Sequence, residues 1–396
     1  MDTNIPVGKL AQLDLRCSCG RRHSVPIRHI VTGEGALTRL AEVVDGFEGK
    51  NAFLVGDSHT YPLAGDRVRA MLSEAGLRVR SHVFSRRDRY LTDEAAIGEM
   101  LVQLPQDTDL IVAVGSGTMN DISRAVSVRC RVPYVIVGTA PSMDGYASST
   151  SAIICGPEKL SVPLGSPYGI VIDPELLITA PDEMLSAGIG DVLGKHVALA
   201  DWRLAAREGR EHDCPEIQAL IEAACRRCQT GYRGVLRRDR DAVRDMADTL
   251  VMAGAAISMF GTSRPCAGSE HQLAHAWEVA EIRRDAPRFN LHGNFVGLGT
   301  LAAIRLYREA SREFDFSDLR YALPDPGDID AILRQAGGWA SAERLGVDRE
   351  LFLEAFVHAA RVNTRYTILT FLDERGWLER CAKRVAESMY GPGGPL

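Results

Sequence analysis

The sequence predicts two domains of different class: an N-terminal α/β domain followed by an all-helical C-terminal domain, with ligands expected in the cleft between them. Two observations carry this prediction. Up to about residue 178, short apolar β-branched runs alternate with amphipathic helical patterns, as in a parallel sheet covered on both faces. Beyond residue 182 nearly every segment has helical periodicity and few strand-like runs remain. A boundary at ITAPDE divides the chain into 1–180 and 181–396, each half long enough for its own core.

The elements follow in order. Runs at 27–33, 51–57, 77–84, 110–117 and 134–141 read as strands, and 36–47, 62–76, 94–104 and 119–129 as the helices between them. The stretch 151–178, with turn signals at GPEKL and PLGSPYG, reads as a hairpin or edge extension leading into a last strand, GIVIDP.

Composition narrows the function classes. A formal charge of −6 argues against nucleic acid, whose phosphates require a basic face. The N-terminus lacks the basic start and apolar core of a signal peptide, and no stretch reaches the roughly 20 apolar residues of a membrane span. Nine scattered cysteines, an odd number in a long chain, suit a reducing cytoplasm better than a disulfide framework.

Two loops in the first half carry ligand signals. In LIVAVGSGTMNDISR an apolar strand ends at Gly115 and a helix starts a few residues later. Gly115 and Gly117 permit a tight turn, and the free N–H groups around Ser116, Gly117 and Thr118 suit an anion such as a dinucleotide pyrophosphate. Asp121, in the first helical turn, either contacts the ligand or caps the helix. The next strand end, VGTAPSMDGYASSTSA, is rich in small polar residues and forms the same sheet rim. Thr139, Ser142 and Ser148 suit phosphate, ribose or amide contacts; Asp144 before Gly145 either accepts from a substrate hydroxyl or makes a turn.

The second half offers metal ligands. His271 and His275 lie four residues apart on one helical face, so both can ligate one ion, or one can ligate while the other meets substrate. His292 precedes glycine, and Asp191 sits among glycines with Lys195 one turn further on. One carboxylate with two imidazoles makes an open site for a catalytic divalent metal. Lysine is scarce, at 9, 50, 159, 195 and 383 only, which singles out Lys195 as a substrate contact.

At GSGT, TAPSMDGYASS, GDVLGKHVALADW, GSEHQLAHAWE and HGNFVGLGT, in that order over 25–310, the chain resembles the bacterial, AraM-like branch of the sn-glycerol-1-phosphate dehydrogenases. These are grouped with glycerol dehydrogenases, iron-type alcohol dehydrogenases and dehydroquinate synthases. The resemblance implies a Rossmann-like domain before a helical one, the dehydroquinate synthase-like fold. It implies a divalent metal (zinc or nickel, with iron as a further option) on Asp191, His271 and His292. Asp144, Asp191 and His275 would meet a small phosphorylated substrate. Gly115 to Thr118, Asp121, Thr139, Ser142 and Ser148 would hold NAD or NADP, with Asp57 near the adenosine ribose. A homodimer is implied as well. GSGT departs from the GGGT of many relatives, and GNFVG after His292 replaces a charged or polar pair, which bears on the shape of the substrate pocket.

The chemistry so implied is hydride transfer at C2 between dihydroxyacetone phosphate and sn-glycerol 1-phosphate, with His275 and Asp191 at the reacting centre and His275 as proton relay. The alternatives are a dehydrogenase for another phosphorylated or phosphonate hydroxy compound, a dehydroquinate synthase-like ring-forming enzyme, and a non-catalytic nucleotide sensor. Against the synthase stand Asp191, where that enzyme carries Glu, and the SMDG loop. Elsewhere, Cys17, Cys19 and His23 lie close together in CSCGRRH. A small metal site is one reading, though no fourth ligand is evident and C-x-C is not the usual zinc-knuckle spacing; AraM-like relatives often carry a similar segment, and that resemblance implies a structural role. Cys225 and Cys228 read as buried or half-exposed thiols of a helix.

Overall fold

After a 3-10 turn at Val7–Leu10 comes a short antiparallel hairpin that the sequence does not announce, β1 (Asp14–Arg16) and β2 (Arg22–Ser24). The computed structural model describes residues 2–85, 90–284, 290–320, 323–362 and 365–391. After the hairpin, strands and helices alternate as expected: β3 (His29–Thr32), α1 (Leu40–Val44), β4 (Asn51–Asp57), α2 (Tyr61–Glu74), β5 (Arg78–Phe84), α3 (Glu94–Gln103), β6 (Leu110–Gly115), α4 (Gly117–Cys130) and β7 (Tyr134–Gly138). The helix expected at 36–47 is shorter, a 3-10 turn at Ala36–Arg39 running into α1. The ambiguous stretch is a detached hairpin, β8 (Thr150–Cys155) with β9 (Glu158–Pro163), followed by β10 (Gly169–Ile172) and α5 (Pro174–Leu177).

All strand pairings in the six-stranded sheet are parallel, in the order β3-β10-β7-β6-β4-β5. β10 comes last in sequence but lies inside the sheet, which suits its GIVI sequence, buried throughout. The carboxyl ends of β4, β6 and β7 are adjacent, so the loops after Asp57, Gly115 and Gly138 share one rim, the usual ligand edge of such sheets.

From Asp182 onward every assigned element among the described residues is helical. The long helices are α6 (Asp182–Arg207), α7 (Pro215–Leu236), α8 (Arg240–Phe260), α9 (Ser269–Ile282) and α10 (His292–Ala310); shorter ones follow to Tyr390. Residues of α6 from Leu185 to Trp202 are buried on every side, so it runs through the core rather than along the surface.

Close approach at two glycines sets the site. A methyl on Gly188 would collide with the Pro141 carbonyl in the loop after β7, and one on Gly293 with the Ala187 carbonyl. These contacts press α6 against both the loop carrying Asp144 and the start of α10 carrying His292. Gly188→Ala should therefore destabilise the protein by about 2–3 kcal/mol, since backbone must move to admit the methyl. Urea unfolding checks this; an unchanged midpoint would show that the loop is not clamped here.

Candidate active site

The rim of the sheet domain has the features of an anion cradle. Ser116 caps α4 without a side-chain hydrogen bond, so the first-turn N–H groups face outward, and Ser116, Gly117 and Thr118 line a cleft. Asp57, Asp121, Thr139, Ser142 and Ser148 line the same cleft. Gly115 lies behind it, its carbonyl accepting from Thr139 N–H (3.1 Å) and Tyr146 Oη–H (3.2 Å). Asp57 Oδ1 accepts from the backbone N–H groups of His59 and Thr60, both at 2.8 Å, fixing the turn into α2. Open helix N–H groups in a glycine turn at a sheet's carboxyl edge fit a dinucleotide.

Asp121 is committed to the protein. Its Oδ1 accepts from Arg124 Nη1 (2.7 Å), Ser151 Oγ (3.1 Å) and Asn120 Nδ2 (3.1 Å). Arg124, fully buried, also donates to the carbonyls of Gly145, Tyr146 and Thr150 and thereby holds the 144–151 loop in place. Sequence reasoning passed over Arg124, although its position one turn after Asp121 was a usable signal.

Across the cleft floor lies a buried charge triad. Lys195 Nζ sits 2.5 Å from Asp191 Oδ1 and 2.7 Å from Asp144 Oδ2, while Asp191 Oδ2 accepts from Asp144 N–H at 2.9 Å. Burial alone would lower the lysine's pKa, but Asp144 and Asp191 outweigh it and hold the ammonium charged, well above the usual range. Lys195, expected to meet substrate, is enclosed and does not line the cleft; it neutralises two carboxylates one turn and one domain away. Asp144 does line it, on the loop pinned by Arg124.

The histidines converge beside this triad. Ring centres of His271 and His292 are 5.2 Å apart, of His275 and His292 5.3 Å, and of His271 and His275 6.4 Å. His271 Nε2 is 3.7 Å from Asp191 Oδ1. Among the described residues, donor atoms of His275, Glu278 and His292 come within 4.8 Å of one another. The expected set of Asp191, His271 and His292 thus spans two adjoining groups.

Each imidazole is anchored through Nδ1 by a glutamate that sequence reasoning did not name. His271 Nδ1–H donates to Glu270 Oε1 (2.7 Å), His275 Nδ1–H to Glu278 Oε2 (2.9 Å) and His292 Nδ1–H to Glu278 Oε1 (2.9 Å). Burial, reinforced by Asp201, lifts Glu270 to about 8, yet its Oε1 also accepts from Gly268 N–H (2.9 Å) and so remains an acceptor toward His271. Burial also pulls His275 down to about 4 and His271 well below the usual range, so both are neutral at pH 7. Neutral His271 and His275, with Nδ1 held by glutamate carboxyl oxygens, present Nε2 lone pairs, the arrangement a divalent metal requires. Glu278 is in turn paired with Lys159 Nζ (2.6 Å), reaching over from β9.

The two halves enclose a cleft of about 600 Å³. Among the described residues its lysine and arginine lining is Lys159 and Arg365, the latter donating to Ser263 Oγ (2.6 Å) and the Ala267 carbonyl (3.4 Å). Arg365 had no sequence signal and Lys159 only the scarcity of lysine, because each comes from a segment remote from the motifs.

Residues 31–181 match the family model of iron-containing alcohol dehydrogenases. The NAD(P)+-dependent glycerol-1-phosphate dehydrogenase of Geobacillus stearothermophilus is 30% identical over 95% of this chain and 100% of its own length. The enzyme of the same name from Methanosarcina acetivorans is 31% identical over 86% of this chain and 90% of its own. Among solved structures, glycerol dehydrogenase from Schizosaccharomyces pombe superposes with a TM-score of 0.64 at 19% identity, covering 92% of this chain and 91% of that one. The iron-containing alcohol dehydrogenase of Thermococcus thioreducens gives 0.68 at 16% identity, covering 91% and 98%. These relatives do not favour a ring-forming synthase. With the fold and nearly the full length shared, the chain belongs to the glycerol-1-phosphate dehydrogenase family.

Proposed function

We propose that the protein is an NAD(P)-linked, metal-dependent dehydrogenase interconverting dihydroxyacetone phosphate and sn-glycerol 1-phosphate. One observation carries this reading: a dinucleotide-compatible rim faces three glutamate-anchored imidazoles across one cleft. When bound, NAD(P)H supplies hydride and a divalent metal supplies Lewis acidity at the carbonyl oxygen. Asp191, His271 and His292 would hold the metal, which is zinc, nickel or iron. Ser116, Gly117 and Thr118 would take the pyrophosphate after the turn at Gly115. Thr139, Ser142 and Ser148 would position the rest of the nucleotide, and Asp57 the adenosine ribose. Asp121 would act through the loop it helps fix.

His275 is the proton relay in this reading. Neutral and lining the cleft, it can accept the hydroxyl proton in alcohol oxidation, and Glu278 on its Nδ1 stabilises the resulting imidazolium. Asp144 accepts from a substrate hydroxyl. The substrate phosphate lies toward Arg365 and Lys159, which line the cleft among the described residues. None of the nine cysteines is in a disulfide, which supports a cytoplasmic enzyme, and the sequence resemblance supports a homodimer. No helix among the described residues is long and apolar enough to cross a membrane.

Dihydroxyacetone phosphate should be reduced far faster than unphosphorylated dihydroxyacetone; equal kcat/KM for the two would rule out a phosphorylated substrate. Arg365→Ala should raise KM for the phosphorylated compound about 10- to 100-fold, as expected for losing a charged hydrogen bond, and leave the weak turnover of dihydroxyacetone unchanged. Equal losses on both compounds would place the phosphate elsewhere.

A further inference from the structure

Away from the cleft, the N-terminal hairpin brings together residues that local sequence spacing did not unite. Cys17 and Cys19 lie in the turn between β1 and β2, His23 is in β2, and Cys214 is the residue before α7. Cys17 Sγ is 3.5 Å from Cys214 Sγ, Cys19 Sγ is 3.3 Å from His23 Nε2, and Cys214 Sγ is 3.4 Å from His23 Nε2. All four donor atoms lie within 4.8 Å of one another. Tetrahedral zinc with Zn–S of about 2.3 Å and Zn–N of about 2.0 Å has donor–donor edges of about 3.5–3.8 Å. The three spacings above, half of the polyhedron's six edges, match it to within a few tenths of an ångström, and the other three stay within 4.8 Å.

The surroundings agree with that geometry. His23 is 1% exposed, and its Nδ1–H donates to the Met259 carbonyl at the end of α8 (2.9 Å). That bond fixes the tautomer that leaves the Nε2 lone pair facing the sulfurs. Cys214 is fully buried, and Cys17 and Cys19 are partly covered. Glu216 flanks the group, its carboxylate accepting from Ser18 and from Cys17 Sγ (3.2 Å). None of these residues lines the cleft.

We propose that Cys17, Cys19, His23 and Cys214 form a second metal centre, a closed structural zinc site tying the N-terminal hairpin to the start of α7. Three soft thiolates with one imidazole select zinc over the hard cations. The site joins residues almost two hundred positions apart in sequence, so it fastens a hairpin with little core of its own onto the helical domain. It stands independently of the proposed dehydrogenase chemistry, whose ligands include no cysteine.

The test is made on the full chain, purified under reducing conditions. His271→Ala/His292→Ala should retain about one tightly held zinc per chain, released by a mercurial reagent and lost when Cys17→Ser is added. Cobalt(II)-substituted wild-type protein should show thiolate-to-cobalt charge-transfer absorption, which keeps the test decisive if the variants fold poorly. Cobalt-loaded protein without those bands, or a His271→Ala/His292→Ala protein that binds no zinc and titrates with all its thiols free, would overturn the proposal. A Cys17–Cys214 disulfide in the purified protein would overturn it equally.

Discussion

Lys195→Met should unfold the protein more easily by about 3–5 kcal/mol, the usual cost of stripping one partner from a buried ion pair, and lower kcat/KM more than a hundredfold. The side chain is fully enclosed, with its ammonium 2.5 Å from Asp191 and 2.7 Å from Asp144. Without it two carboxylates from different domains face each other with little to offset their repulsion. Asp191 keeps only the Asp144 N–H on its other oxygen. One carboxyl would take up a proton or the loop would move away, and either change disturbs the metal and substrate positions together. Urea unfolding and steady-state kinetics on the same preparation check this. If Lys195 instead touched the substrate, the variant would show a raised KM and an unchanged unfolding midpoint.

Glu278→Gln should weaken metal retention about 10- to 100-fold, the range typical when a partner behind a metal-binding histidine is lost, with a parallel fall in kcat. Glu278 is the shared acceptor for His275 and His292 and the counter-ion of Lys159. A carboxamide has only one acceptor oxygen, so its NH2 group must confront one of the two Nδ1–H groups or the Lys159 ammonium. The ring that loses its acceptor can flip its tautomer and withdraw its Nε2 lone pair. Metal content after dialysis and kcat report the two effects separately. Wild-type retention in this variant would remove Glu278 from the role assigned to it.

Much of this architecture was legible in the sequence, for reasons that differ by element. The strand–helix alternation was clear because strands of an interior parallel sheet are apolar on both faces, as β6 and β7 are throughout. The position of β10 was not, because periodicity says nothing about which neighbours a strand takes. The glycine-flanked motifs around Gly115, Asp191 and His292 stood out because close backbone approach restricts residue type. The charge partners behind them stayed hidden. Glu278 lies three residues after His275, a helical pairing that could have been read, and Glu270 is next to His271. Lys159 and Arg365 come from a hairpin and a C-terminal segment that only folding brings to the cleft. The scarcity of lysine drew attention to Lys195, but sequence could not tell a buried counter-ion from a substrate contact. Cys214 was invisible as a partner of Cys17, Cys19 and His23 for the same reason as Lys159.

The most direct test of the central claim is oxidation of NADH or NADPH by the metal-reconstituted protein with dihydroxyacetone phosphate, followed by resolving the enantiomers of the product. The account predicts turnover that a chelator abolishes, that added zinc, nickel or iron restores, and that yields sn-glycerol 1-phosphate. Turnover indifferent to chelator, a 3-phosphate product, or no turnover with any of the three metals would contradict it.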